Sequence, residues 1–264
     1  MEKRMRIFAG PNGSGKTSII KAIRSTEVHA GRKLDFGIYV NADDIAQQLF
    51  SNGVNLSSLE IELNRKEFQD IVQGSGLINA DFPYSRFSSY IKFSKNKISI
   101  LKKVAGQVDD SPYERIAQII ADYFRKKLLK ERKKLSFETV FSHPGKVEII
   151  KQAKEQGYKV YLYFVSTEDP TINVHRVKQV RVPQKGHDVP EGKIISRYYR
   201  SMELLYEASQ YCYQAYFFDN SKESIEHNLF AQFKLNAKGE KVWTEIKNEE
   251  VPEWFKHYYS AKIK

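Results

Sequence analysis

The chain has 264 residues, with 43 Lys and Arg against 32 Asp and Glu, a formal net charge of +11. Hydrophobic residues make up 41% and charged residues 28%, too apolar a balance for a disordered chain. A single cysteine, Cys212, excludes an intramolecular disulfide framework and a cysteine-rich zinc site, and the longest aliphatic-aromatic run, Val160 to Val165, is too short to span a bilayer.

In chain order, Arg4 to Ala9 reads as a strand that enters a glycine-rich turn, and Thr17 to Arg24 has helical spacing. Phe36 to Val40 is a second strand, followed by Asn41-Ala42-Asp43-Asp44 and a helix through Leu49. Residues 51 to 110 are rich in Ser, Asn and Gly and read as an inserted lobe with one helix near 57 to 72. Ser111-Pro112-Tyr113-Glu114 is a capping box that opens a helix with the apolar stripe Tyr113, Ile116, Ile120, Phe124 and Leu128. Its cationic end, Arg125 to Lys134, suits the negative pole of the helix and reads as a solvated terminus. Strands follow at 135 to 141, 158 to 165 and 215 to 218, with helices at 146 to 156, 170 to 182 and 190 to 210. Residues 229 to 235 and 241 to 246 alternate around Lys238-Gly239 as a hairpin, within a C-terminal appendage of residues 222 to 264. Strands alternating with helices predict one α/β domain, a three-layer sandwich on a mainly parallel five-stranded sheet.

Gly10-Pro11-Asn12-Gly13-Ser14-Gly15-Lys16-Thr17 fits the P-loop pattern G-x-x-x-x-G-K-[ST] between a strand and a helix. Its glycines let backbone N–H groups converge on phosphate oxygens, and the helix aims its positive end there. Lys16 would reach the β- and γ-phosphates of ATP or GTP, and the Thr17 hydroxyl would bind Mg²⁺. There is no N-K-x-D guanine-reading motif, since Asn96-Lys97-Ile98-Ser99 lacks the Asp, nor a transporter signature. Transfer to a small acceptor is therefore the leading class.

Such a transferase needs a base and a carboxylate near the metal. Asp43 and Asp44 follow a strand at the expected ligand-binding edge, with helix capping as the alternative role and a metal-ligating role a further alternative for Asp43. Glu138 sits inside an apolar strand, as a functional acid or half of a buried ion pair. Arg176, Lys178 and Arg181, then Lys193, Arg197 and Arg200 behind an Asp188-led capping box, read as a phosphate-facing lid or as a solvated helix pair. The charge is concentrated accordingly: residues 172 to 200 carry +5 and residues 92 to 134 carry +8.

The P-loop, Asn41-Ala42-Asp43, Phe137-Glu138-Thr139, the run Arg176 to Arg181 and Gly186 to Glu191, and Phe218-Asp219-Asn220-Ser221 together resemble the zeta-toxin-like P-loop kinases. The match covers residues 4 to 50 and 111 to 221. The resemblance implies an ATP- or GTP-dependent kinase acting on a hydroxyl of a nucleotide sugar such as UDP-N-acetylglucosamine. It makes Asp43 the base, Glu138 and Thr139 substrate-side residues, Arg176 and Arg181 lid cations on the transferring phosphate, and Asn220 a nucleotide contact. It also implies an antitoxin protein as a partner. Val140 stands where the family pattern has a second-position Thr after the Glu, which bears on the acceptor rather than on the nucleotide. The rivals are a polynucleotide or nucleoside kinase, favoured by the basic surplus, and a nucleotide-gated interaction ATPase. No apolar segment follows the charged N-terminus as a signal peptide would require, so the expected location is cytoplasmic and no membrane partner is expected.

Overall fold

The computed structural model describes residues 2–29, 31–101, 111–183, 188–222, 228–244, 249 and 251–263. The chain divides into two compact units, Met1–Phe36 with Glu138–Lys264, and Gly37–Phe137. The lobe expected at 51 to 110 lies within the second of these.

The first unit is built on β1 (Arg4–Ala9), β9 (Lys159–Ser166) and β10 (Gln214–Asp219), which pair in parallel. Two antiparallel strands continue from β10, first β11 (Asn228–Leu235) and then β12 (Lys241–Trp243). The apolar run of β9 is continuous because both of its faces are covered. One face aligns Met5 with Val160, Ile7 with Leu162 and Ala215 with Leu162, all inaccessible to solvent. The other face carries a ladder of rings, Phe36–Phe8–Tyr163–Tyr216, with centroids 5.3, 4.8 and 4.7 Å apart. The hairpin turn was legible, whereas a further helix, α9 (Glu253–Tyr258), was not. It buries Trp254 and Phe255, and Phe255 meets the Phe217 ring at 4.9 Å.

The helices of this unit are α1 (Lys16–Ser25), α6 (Gly145–Glu155), α7 (Pro170–His175) and α8 (Glu191–Ser209). α6 stops where Gly157 turns to φ 78°, with Gly157 N–H bonded to Lys154 O and Tyr158 N–H to Ala153 O, both at 2.9 Å. The helix expected over 170 to 182 is interrupted. After α7 the backbone widens into one π turn over Arg176–Arg181, where Val182 N–H reaches the Val177 carbonyl at 3.0 Å. The Asp188-led capping box did not form: Pro190 occupies the N-cap of α8, and Asp188 pairs with Lys178 at 2.6 Å. Gly186 and His187 of that segment lie outside the described residues.

In the second unit β4 (Ile38–Val40) pairs in parallel with β8 (Leu135–Thr139), whose last two residues, Glu138 and Thr139, fall in the first unit. The helices are α2 (Ala42–Ser51), α3 (Arg65–Gln73), α4 (Tyr84–Tyr90) and α5 (Ser111–Lys130). A three-stranded antiparallel sheet of β5 (Val54–Asn55), β7 (Lys97–Ile100) and β6 (Ile91–Ser94) completes the unit. Among the described residues the lobe therefore has two α-helices and three strands where one helix was expected. The stripe of α5 is buried as predicted. Its cationic end is only partly the expected solvated terminus: Lys130 and Arg132 are exposed, whereas Arg125 and Lys127 are buried. Arg125 is buried over the Phe137 ring at 5.3 Å, and Lys127, Lys130 and Lys133 pair with Glu67 and Glu60. Glu67 and Glu60 lie about sixty to seventy residues away in sequence, so a local charge pattern reveals only Glu131, which also pairs with Lys127.

Candidate functional site

The candidate site grows from the end of β1. Gly15 is the N-cap of α1, in the left-handed region at φ 95°, and Gly13 is there at φ 74°. Both positions are also crowded. A Cβ on Gly13 would lie 2.6 Å from the Asn173 carbonyl oxygen, and one on Gly15 would overlap the Asn220 side-chain amide. The glycines are thus required twice, by backbone angle and by the two asparagines pressed against the loop.

Those asparagines hold the loop in place. Asn173, on α7 and inaccessible to solvent, donates from Nδ2 to the Asn12 carbonyl at 2.6 Å, while its Oδ1 accepts from the buried Thr167 hydroxyl. Asn220, just after β10, donates from Nδ2 to the Ser14 carbonyl at 2.9 Å and from its backbone N–H to Ser166 O at 2.8 Å. The Arg176 guanidinium in turn donates to the Asn220 carbonyl at 2.7 Å. The P-loop is therefore gripped at two alternate carbonyls, one by α7 and the other by the residue that follows β10.

Inside the loop, the buried Lys16 ammonium donates to Gly10 O at 2.9 Å and to Pro11 O at 2.8 Å. Asn12 Oδ1 and Ser14 Oγ are buried with no hydrogen-bond partner. Buried polar atoms left so cost about 1–3 kcal/mol each. The Ser14 hydroxyl, which has a proton to donate, together with the lysine and the amide-rich helix start, fits a phosphate group that would accept from it. Thr17 is exposed on the first turn of α1, where its hydroxyl is accessible to a cation.

The remaining sequence-predicted residues fall into place as follows. Arg181 ends the π turn, half-buried. Glu138 and Thr139 end β8, and the Thr139 hydroxyl accepts from Phe141 N–H at 3.1 Å, closing the strand where Phe141 takes φ 64°. Asp43 lies in the second unit, exposed in the first turn of α2. The capping role is taken by Asn41, whose side chain accepts from Asp43 N–H at 2.7 Å, so neither Asp43 nor Asp44 is the cap.

Three contributors were not foreseen. Asn173 and Thr167 have no motif to announce them. The third is α9: Trp254 donates from its indole to Asp219 Oδ1 and from its backbone N–H to Glu168 Oε1, both at 3.0 Å. Burial and the nearby Asp219 charge push the Glu168 carboxyl above the usual range, against the pull of the Trp254 N–H.

No family model and no curated protein matches the chain. Solved structures do. The AvrRxo1-ORF1:AvrRxo1-ORF2 complex with sulphate ions superposes with a TM-score of 0.53 at 16% identity, over 94% of this chain and 62% of that one. The same complex with ATP gives a TM-score of 0.52, again at 16% identity over 94% and 62%. The chain thus spans less than two thirds of these matched chains. A structure from the PezAT chromosomal toxin–antitoxin system of Streptococcus pneumoniae aligns over 100% of this chain and 80% of that one, with a TM-score of 0.46 at 11% identity. The chain shares the fold of the AvrRxo1-ORF1:AvrRxo1-ORF2 structures, a mixed α/β fold on a mainly parallel sheet. Among the described residues, no helix is long and apolar enough to cross a membrane.

Proposed function

We propose that the chain is a P-loop kinase that transfers the γ-phosphoryl group of ATP, or GTP, to a hydroxyl of a small anionic metabolite such as a nucleotide sugar. The observation that carries this reading is the braced loop with a buried lysine and a buried Ser14 hydroxyl that lacks an acceptor. Lys16 and the backbone amides hold the β- and γ-phosphates. The acceptor oxygen bonds to the γ-phosphorus as the bond to the β-bridging oxygen breaks, and Asp43 takes the hydroxyl proton. Arg176 and Arg181 neutralise charge on the transferred group, and Glu138 and Thr139 face the acceptor. Thr17 and nucleotide oxygens would hold a Mg²⁺ ion. That ion would offset the negative charge of the phosphates. ATP as donor is supported by the ATP-containing AvrRxo1-ORF1:-ORF2 structure, and a neutralising protein partner by the two-component nature of that complex.

The test is incubation with Mg²⁺ and ATP against nucleotide sugars, nucleosides and 5′-hydroxyl oligonucleotides, read by mass for the gain of one phosphoryl group. Lys16→Ala should abolish nucleotide binding and transfer. Asp43→Asn should keep binding and lose transfer. Turnover that survives Lys16→Ala, or an acceptor found only among oligonucleotides, would overturn this reading.

A further inference from the structure

The lid segment places three side chains in a register that an ordinary helix would not give. Asn173 and Arg176 are three residues apart in the turn where Arg176 N–H bonds back to Ile172 O and Asn173 O, so they share a face. That face looks at the P-loop, since Asn173 bonds to Asn12 O and Arg176 reaches the residue that bonds to Ser14 O. In a regular α-helix Arg181, five residues after Arg176, would lie about 140° around the axis, away from the loop. The π turn closes its ring between residues five apart and, at about 4.4 residues per turn, brings Arg181 back to within about 50° of Arg176. The opposite side of the segment is anchored. Val177 is buried with Val189 and Ile194 and packs beside Val174, and Lys178 pairs with Asp188.

We propose that the extra residue of the π turn is a register device: it brings Arg181 into line with Arg176, so that one short element presents two guanidinium groups to the phosphate end of the nucleotide. This deepens the kinase reading above and rests on it. Arginine suits the task because its planar fork binds phosphate oxygens in pairs.

Two variants separate a π register from an α register. In Gln179→Arg/Arg181→Gln the cation moves from the fifth to the third position after Arg176, which in a π turn faces about 115° away from Arg176 but in an α-helix only about 60°. The exchange is mild for folding, since Gln179 is exposed and Arg181 half-buried. Deleting the exposed Gln179 makes Arg181 the fourth residue and lets the turn relax to an α-helix, where residues four apart share a face. Affinities for ATP and ADP are measured by calorimetry on each variant and on Arg181→Ala, with melting curves to show that each is folded. Arg181→Ala should lower the preference for ATP over ADP roughly tenfold or more. The exchange variant should lose as much, and the Gln179 deletion should stay within about threefold of the native ratio. An exchange variant that prefers ATP like the native chain, or a folded deletion as impaired as Arg181→Ala, would overturn the proposal. If the deletion does not fold, the exchange variant decides alone. If Arg181→Ala leaves the ATP-over-ADP ratio unchanged, the register device falls, while abolition of transfer by Lys16→Ala would still support the kinase itself.

Discussion

Asn173→Ala removes the buried amide that joins α7 to the phosphate loop. The native side chain makes two bonds, to the Asn12 carbonyl at 2.6 Å and from the Thr167 hydroxyl. Truncation leaves both partners in a site closed to solvent, at about 1–3 kcal/mol each. The Thr167 hydroxyl keeps a second acceptor, the Asp169 carbonyl at 3.3 Å, so its share falls at the low end. The expected loss is about 2–4 kcal/mol in urea unfolding, with weaker ATP binding because the loop is no longer fixed. Asn173→Asp offers a sharper check. The carboxylate can still accept from Thr167 but opposes the Asn12 carbonyl, so its folded-state pKa is raised above the unfolded value. Its native form then binds the extra proton, and stability should recover as pH falls through that raised pKa. A loss below about 0.5 kcal/mol for Asn173→Ala with unchanged ATP affinity would refute the idea that this amide fixes the loop.

Other outcomes can be checked in parallel. Gly15→Ala should destabilise by about 1–3 kcal/mol and impair ATP binding, because the new methyl group is strained at φ 95° and meets Asn220, whereas Gly192→Ala, in open space in the first turn of α8, should be neutral or mildly stabilising by melting temperature. Lys241 is half-buried against the Phe233 ring and bonded to Gln210 Oε1 at 2.8 Å, and burial pushes its ammonium down to about 8 from the ordinary 10.5. The folded state therefore releases this proton first, and stability should rise between about pH 8 and 10.5, by about 1–2 kcal/mol after discounting for solvent screening at a half-buried group. Lys241→Met should flatten that rise in urea unfolding at pH 7 and 9.5, and equal slopes for the two proteins would count against it. Burial pushes the Cys212 thiol up to about 12, so a colorimetric thiol reagent should label it only when the chain unfolds, and prompt labelling of the native protein would contradict its burial.

The parts of the site legible in the sequence are those whose physics is local. The P-loop announces itself because its glycines, lysine and threonine must stand at fixed spacing between a strand and a helix. The β1 boundaries and the buried stripe of α5 follow from periodicity alone. The residues that brace the loop are of another kind. Asn173 is an amide inside a helix, and nothing in its neighbours marks it as the partner of a carbonyl 161 residues away. The π turn is invisible for a similar reason, since Arg176-Val177-Lys178-Gln179-Val180-Arg181 is equally compatible with a plain helix. The lobe was underestimated because its strands are only two to four residues long, too short to show alternation. Asp43 and the helix cap could not be separated from sequence, and the structure assigns the cap to Asn41.

The position of α9 carries an experimental consequence. The chain has only two tryptophans, and Trp254 is bonded to Asp219, the residue before the Asn220 that holds the phosphate loop. Its indole is thus a built-in optical gauge two bonded steps from the phosphate cradle. Comparing the native emission with that of Trp243→Phe isolates its signal without attaching a dye. The same linkage warns against bulky fusions near residue 254, because this helix is joined through Asp219 and Asn220 to the P-loop.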